Sequence, residues 1–438
     1  MTRRPYRSLS NRRVGARFRY YGHDGDAARS GSGARLATSP AAVVPPTFIE
    51  VLMALPGRKV TLAERIEEVG GASSGFDYMR IGLAIAILCW HTIYTLHGEA
   101  AERTYWAEWR AVLGGLLPMF FILSGFLVAG SLVRAGSIGK FLSLRALRLY
   151  PALAVEVLLS ALILGPLLTK APLSDYFSSA QFWAYFHNIV GYITYPLPGL
   201  FTTNPVPNVT NVSLWTIPFE LECYILLTVV VLFGLHSRRA LLLAGLIALV
   251  AYKTWVLARL PDVWQSAAPQ GRLLVASFLA GVLAFLYRDR IPWRFGLFAV
   301  ALVLQLVFTR DAATAYLAVI PTAYVTVYLG LLNPRKYTFL MRGDYSYGLY
   351  LFAFPIQQTY AQLFAQHRVG WMSIAFSLCL GLAYAAFSWH CIEKPVLKRK
   401  KEIIAKVSYA FGPVWRMVSL KYRRGQTRAG LVASSADD

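Results

Sequence analysis

Repeated apolar runs, most of them about 18–22 residues long, constrain the fold of this chain more than any other feature. A run of this length crosses the hydrocarbon core of a bilayer as an α-helix. The runs exclude an ordinary soluble enzyme and an outer-membrane barrel, whose strands are about 10 residues long and alternate apolar with polar. We therefore predict an all-α, polytopic membrane protein with about ten transmembrane helices. The predicted spans are 78–97, 112–133, 149–168, 214–235, 239–258, 272–288, 294–309, 313–333, 345–365 and 370–391.

The distribution of basic residues predicts the orientation. The chain has 44 Lys and Arg against 22 Asp and Glu, a net charge of +22. Basic residues recur in loops after even-numbered spans, such as 238–239 and 335–336, and in the tail at 398–401, whereas Lys170 is the only Lys or Arg in 169–212. The positive-inside rule therefore places both termini in the cytoplasm. We expect the chain to be integral to the cytoplasmic (inner or plasma) membrane. The charge suits anionic membrane lipids, and an apolar content of 56% argues against a disordered nucleic-acid binder.

Three regions follow from composition. Residues 1–75 are basic and rich in Arg, Gly and Ser, and we expect a largely disordered cytoplasmic tail with an amphipathic helix near 62–69. Residues 76–397 carry the transmembrane domain, and 398–438 form a second basic cytoplasmic tail. The long loop 169–212 is rich in Pro, Tyr, Phe and Asn, which indicates a partly ordered structure outside the membrane that could cover a site.

An ionisable side chain inside a span is costly and is therefore a candidate for function. His91 follows Arg80 by eleven residues in the first span, a separation of about 16 Å and within about 20° of whole helical turns, so both side chains share one face. An imidazole there can act as a general base near neutral pH. A structural histidine bonded to a neighbouring helix is the equally weighted alternative.

Two further charged pairs flank the predicted spans. Arg145 and Arg148 lie three residues apart on one helix face and could grip phosphates, although a simple positive-inside anchor explains them as well. Glu220 and Glu222 are two residues apart, which on a helix means about 200°, so they point to opposite sides and at most one faces a polar interior.

Serine and cysteine often act as nucleophiles or metal ligands, but in this sequence both have structural interpretations. Ser124 precedes Gly125 without the glycine-flanked elbow of a nucleophilic serine, which favours close helix packing. The cysteines have no paired spacing, so we expect small buried hydrophobes rather than disulfides, and we expect no metal. These are Cys89, Cys223, Cys379 and Cys391.

Six segments, taken together and in order, resemble the acyltransferase-3 family of integral membrane acyltransferases. Each is weak alone, but six in register are specific, and they cover nearly all of the hydrophobic part of the chain. They are FDYMRIG at 76–82 followed by His91, FILSGFL at 121–127, RALR at 145–148 followed by Tyr150 and Pro151, SLWTIPFE at 213–220, SYGLY at 346–350 with Pro355, and IEKP at 392–395.

The resemblance implies an acyl-CoA donor, most often acetyl-CoA, bound from the cytoplasm, and an acceptor hydroxyl on a glycan or lipid-linked sugar at the outer face. Arg145, Arg148 and Arg80 would then hold the CoA phosphates, and Asp77 would orient the Arg80 guanidinium. His91 would take the proton from the acceptor hydroxyl as it attacks the thioester. Glu220 would bind acceptor hydroxyls or orient His91. An acyl-enzyme intermediate on His91 stays open as an alternative.

Two other classes of protein compete with this interpretation. A secondary transporter or flippase of a glycan-linked substrate also has about ten spans with buried charges, but the sequence shows no internal repeat relating residues 78–235 to 239–391. A non-catalytic membrane scaffold would explain the basic tails and leave the intramembrane Arg and His without a purpose. The aromatic-rich spans are compatible with a homodimer interface but do not require one. The sequence does not identify the acceptor hydroxyl or the acyl group.

Overall fold

The computed structural model describes residues 60–71, 73–135, 137–260, 271–337 and 343–410. Within these residues every regular element is helical, apart from an isolated β-bridge between Thr61 and Pro292. The helices are α1 (Leu62–Glu68), α2 (Ser74–Leu113), α3 (Leu116–Ala135), α4 (Ile138–Leu168), α5 (Leu173–Ser178), α6 (Ala180–Tyr185), α7 (Ile217–Leu232), α8 (Arg239–Leu257), α9 (Gly271–Leu286), α10 (Phe295–Phe308), α11 (Val319–Gly330), α12 (Tyr345–Leu363), α13 (Gly370–Lys398) and α14 (Lys400–Ala410).

Each predicted span overlaps a helix, so the all-α polytopic fold is confirmed. Six helical stretches of the described residues are long and apolar enough to cross a membrane: Ser74–Tyr105, Ala107–Leu132, Ile138–Leu168, Val212–Leu232, Arg239–Leu257 and Gly370–Lys398. The fourth of these consists of α7 and the short helical turn before it. Helices α9, α10 and α11 are apolar but shorter, and α12 occupies the ninth predicted span. Two of the long helices contain a π turn, at Ser160–Leu164 in α4 and at Ser388–Glu393 in α13.

The domain begins earlier than the predicted boundary at residue 76. The predicted amphipathic helix is present as α1, with a capping box between Thr61 and Glu64. Leu62 is buried, and the Arg65 guanidinium donates to the Leu331 carbonyl at 3.1 Å and lies over the Trp293 ring. These contacts stabilise α1 against the bundle, so residues 61–68 belong to the folded domain rather than to a tail. Of the predicted tails, residues 1–59 and 411–438 lie outside the described residues, whereas 400–410 of the predicted C-terminal tail form α14.

Helices α3 and α9 pack with their backbones in contact. A Cβ atom at Gly125 would lie 2.1 Å from the Phe278 carbonyl oxygen, and one at Gly281 would lie 2.1 Å from the Ile122 carbonyl oxygen. Only glycine permits this approach, which brings helices together by dispersion contacts where lipid offers no hydrophobic driving force. The close packing predicted for the Ser124-Gly125 pair is confirmed.

The loop 169–212 is ordered, and buried amide side chains tie it to the bundle. Asn204 donates to the backbone and side-chain oxygens of Gln358 on α12, both at 2.9 Å. Gln358 in turn donates to the carbonyls of Val206 at 2.8 Å and Val209 at 2.7 Å. These buried hydrogen bonds between Asn204, Gln358 and the loop backbone give the loop one defined position over the end of α12.

Candidate active site

A cavity of about 170 Å³ lies among α2, α3, α4, α7, α9 and α12. Arginines line one end of it, and hydroxyl groups and a carboxyl line its walls together with Phe and Leu side chains. The predicted residues Arg80, Arg145, Arg148 and Glu220 all contribute to this lining. Segments remote in sequence therefore meet here, which is typical of a binding site between helices of a bundle.

Two of the arginines share one carboxylate. Asp344, which immediately precedes α12, contacts Arg80 at 3.3 Å and makes a closer ion pair with Arg148. Arg80 also pairs with Asp77 at 2.5 Å, as the three-residue spacing predicts, and Arg148 pairs with Glu393 at 3.3 Å. The result is a network in which the charges of Arg80 and Arg148 are matched by carboxylates.

Sequence reasoning missed Asp344 and left Glu393 without a role. The signals were present, since Asp344 lies two residues before the SYGLY segment and Glu393 lies inside IEKP. Burial acts to raise the pKa of Asp344, but Arg148 and Arg80 outweigh it and hold that pKa at about 2. The Ser346 hydroxyl adds a hydrogen bond to the same carboxylate at 2.6 Å.

Arg145 has a different environment from Arg148, so the predicted pair is not equivalent. Its one hydrogen bond within the described part of the chain goes to the Ser131 hydroxyl at 3.5 Å, the limit of a hydrogen bond. Its Nε atom is buried without a partner in the same set of residues. A guanidinium presents five donors, so most of this binding capacity remains available to a ligand in the cavity.

The two glutamates of α7 point in different directions, as predicted. Glu220 lines the cavity and accepts a hydrogen bond from the Tyr224 hydroxyl at 2.5 Å. Arg145 acts on the Glu220 carboxyl electrostatically. Glu222 lies outside the cavity and pairs with Arg272 on α9. Glu220 is thus the acidic group placed to meet a ligand.

His91 and Arg80 both face α12, which agrees with the predicted shared face of their helix. Arg80 meets Asp344 at the start of α12, and the His91 ring lies edge-on against Phe354, with centroids 5.4 Å apart. His91 does not line the cavity, however. The cavity reaches Tyr350, which precedes Phe354 by about one helical turn. The structure therefore places the histidine near the cavity but behind its wall.

Two neighbouring hydroxyl groups line the cavity, and one of them, on Tyr350, lies about one turn of α12 before Phe354, which the His91 ring contacts. The Tyr350 and Thr216 hydroxyl oxygens are 2.8 Å apart, and each lies 3.2 Å from the Ser213 carbonyl oxygen. The Phe120 ring packs against Tyr350 with centroids 5.9 Å apart. The cavity thus offers cationic groups, apolar walls and hydroxyl groups, which suits a ligand with an anionic head and an apolar arm.

Comparison with known proteins identifies the family. The model of the acyltransferase-3 family, described as an acyltransferase domain, matches residues 73–392. Nodulation protein 10 of Rhizobium leguminosarum bv. viciae is 27% identical over 371 residues, covering 78% of this chain and 97% of that protein. An O-acetyl transferase of Shigella phage Sf6 is 26% identical over 350 residues, covering 75% and 97%. No solved structure is significantly similar. Together with the helical membrane fold and the arginine-lined cavity, the match shows that this chain is a membrane acyltransferase belonging to the acyltransferase-3 family.

Proposed function

We propose that this protein is an O-acyltransferase that moves an acetyl group from cytoplasmic acetyl-CoA to a sugar hydroxyl of a cell-surface or exported glycan. The observation that carries the proposal is the cavity, which three arginines and the hydroxyls of Tyr350 and Thr216 line together with apolar side chains. Membership of the family supports acyl transfer, and the phage relative named O-acetyl transferase supports an oxygen acceptor and an acetyl group.

Arg145 is the proposed first ligand of the CoA phosphates. It lines the cavity without a carboxylate partner within 4.0 Å among the described side chains, so a phosphate binds it without first displacing an ion pair. Arg80 and Arg148 add positive charge beside it, but their guanidinium groups are already bonded to Asp77, Asp344 and Glu393. In this proposal Arg80 and Arg148 attract a second phosphate electrostatically and define the shape of the cavity around Arg145.

The pantetheine arm of the donor would lie along the apolar part of the cavity. Phe121, Leu127 and Phe278 form walls that exclude water from a thioester. The thioester carbonyl would then approach the Tyr350 and Thr216 hydroxyls, at the part of the cavity nearest to His91. A hydroxyl that donates to the developing oxyanion stabilises the transition state.

His91 is the proposed general base. Its imidazole would take the proton of the sugar hydroxyl as that oxygen attacks the thioester carbonyl carbon. The carbon–oxygen bond forms, the carbon–sulfur bond breaks, and the CoA thiolate leaves and takes the proton back from the imidazolium. Phe354 and Tyr350 lie on the side of His91 that faces the cavity, so these side chains would have to move for the acceptor hydroxyl to meet both the imidazole and the thioester.

Glu220 would act inside the cavity, by accepting hydrogen bonds from acceptor hydroxyls or from the donor amides. The arginine end would face the cytoplasm, with both termini on that side and with membrane lipids around the bundle. The transfer would then run across the membrane, from a cytoplasmic donor to an outer acceptor.

Calorimetric binding of acetyl-CoA to the purified protein in detergent tests the donor site. We expect micromolar binding by the wild type and a loss of affinity of about tenfold or more in Arg145→Ala, because a charge-assisted contact to phosphate is removed. Arg290→Ala is the matched control, since that side chain is 70% exposed and away from the cavity. Equal affinity of the two variants would remove Arg145 from the donor site, and no binding by folded wild type would contradict the acyl-CoA donor.

A further inference from the structure

Glu156 is a fully buried carboxyl on α4 to which the proposed mechanism assigns no role. Its exposed fraction is 0%. It follows the cavity-lining Leu149 by seven residues, so it lies on the same face of α4 about two turns further along. A carboxyl in the interior of a membrane helix is costly to bury and is retained where its hydrogen bonds serve a purpose.

The hydrogen bonds of Glu156 come from neutral donors. The Asn211 side-chain amide donates to its Oε1 at 2.8 Å, and the Ser160 hydroxyl donates to the same oxygen at 3.0 Å. Within the described ranges no Lys, Arg or His nitrogen lies within 4.0 Å of Glu156, and its Oε2 has no hydrogen-bond partner. The carboxyl therefore acts as a hydrogen-bond acceptor for Asn211 rather than as half of a salt bridge.

Asn211 connects Glu156 to two other elements. Its amide also donates to the Leu351 carbonyl on α12 at 2.7 Å. Its Oδ1 accepts from the backbone N–H of Ser213, in the turn before α7, at 3.0 Å. Asn211 is 1% exposed, so all of these bonds are shielded from water. One side chain thus holds α4, α12 and the start of α7 in register.

The hydrogen bonds of Asn211 are linked to the hydroxyl groups that line the cavity. The Ser213 residue whose N–H is held by Asn211 offers its carbonyl to the hydroxyls of Tyr350 and Thr216. Tyr350 is also adjacent in sequence to Leu351, whose carbonyl Asn211 holds. Removing the acceptor on Glu156 would leave a buried Asn211 N–H unpaired, which favours rotation of the amide and loss of both contacts.

We propose that Glu156 is a positioning residue that, through Asn211, holds the Tyr350 hydroxyl in the cavity where acyl transfer takes place. This inference rests on the proposed function, because it assigns Tyr350 to the reacting end of the cavity. It also makes a structural claim that is independent of activity, since Glu156 would fix the backbone N–H of Ser213.

The kinetic test uses membrane vesicles from cells that carry the protein, with radiolabelled acetyl-CoA and the glycan of those cells as acceptor. Glu156→Met has a similar volume and lacks the acceptor, and we expect kcat to fall about tenfold or more with KM for acetyl-CoA changed less than about twofold. Glu156→Gln keeps a carbonyl that accepts from Asn211 and should stay within about threefold of wild type. Ser160→Ala, the matched control, removes the other donor to Glu156 and should change kcat less than about twofold.

A second background tests the connection itself. In Tyr350→Phe the hydroxyl is absent, so Glu156→Met should lower kcat by less than about twofold further. Equal additional losses in both backgrounds would overturn the positioning role. A glutamine variant as inactive as the methionine variant would overturn it too, because the ionised carboxyl itself would then be required.

Amide hydrogen exchange of the purified protein separates this inference from the proposed function. We expect faster exchange at the 212–216 turn in Glu156→Met and wild-type exchange in Glu156→Gln, whatever the activity. Unchanged protection in Glu156→Met would refute the connection. If Glu156→Met does not fold, Glu156→Leu replaces it in the same comparison. If the variants show these exchange differences but the wild-type protein transfers no acetyl group, the proposed function is contradicted and the link from Glu156 through Asn211 to Ser213 is still supported.

Discussion

Replacing Asp344 by Asn should destabilise the protein at neutral pH, because Asp344 is the carboxylate shared by Arg80 and Arg148. The two guanidinium groups hold its pKa at about 2, against an ordinary value of 3.8. By linkage, this difference corresponds to about 2 kcal/mol of stability. The side chain is only 19% exposed, so solvent screens this contribution weakly.

The pH dependence of this contribution has a defined sign. The folded-state pKa lies below the unfolded-state pKa, so the stabilisation is complete above about pH 4 and is lost as the pH falls toward about 2. Asp344→Asn should therefore lower the free energy of unfolding by about 2 kcal/mol at pH 7, and the difference from wild type should shrink below pH 4.

Denaturant unfolding in mixed micelles, followed by tryptophan fluorescence at several pH values, measures this difference. Asp77→Asn is the matched control, since Asp77 is more exposed and contacts Arg80 but not Arg148 within 4.0 Å. An Asp344→Asn protein as stable as wild type at pH 7, or a difference that persists undiminished at pH 2–3, would refute the shared-carboxylate reasoning.

Two further predictions concern the base and the helix packing. His91→Ala should retain the fold and lose glycan acetylation in the vesicle assay, because the variant lacks the imidazole that is proposed to take the proton. Normal transfer by the folded variant would exclude His91 as the base. Gly125→Ala should lower the free energy of unfolding by about 1–3 kcal/mol, since its Cβ would collide with the Phe278 carbonyl. Gly296→Ala is the control and should change stability little, because the space around Gly296 is open. Equal stability of the two variants would contradict the close packing of α3 on α9.

Much of the fold could be predicted because it depends on local sequence. Each apolar run becomes a helix since the backbone must satisfy its hydrogen bonds internally in lipid, whatever its neighbours are. The amphipathic helix predicted near 62–69 also depends on few residues, since its cap lies between Thr61 and Glu64. The place of α1 was mispredicted because Leu62 and Arg65 are stabilised by distant partners such as Leu331.

In the candidate site, too, contacts between residues close in sequence could be predicted and contacts between remote residues could not. The Asp77–Arg80 pair and the opposite directions of Glu220 and Glu222 follow from helix geometry over two or three residues. The partners of Arg148 do not, because Asp344 lies 196 residues away in sequence and Glu393 lies 245 residues away. No local spacing encodes such a pair.

The sequence by itself determined that this chain is a helical membrane protein, which residues share helix faces, and which segments resemble acyltransferases. Only the tertiary structure decided that Arg145 and Arg148 differ, that His91 lies behind the cavity wall, and that Glu156 has Asn211 as its partner. The physical reason is that helix formation and side-chain direction are set within a few residues, whereas charge pairing and burial depend on which helices meet.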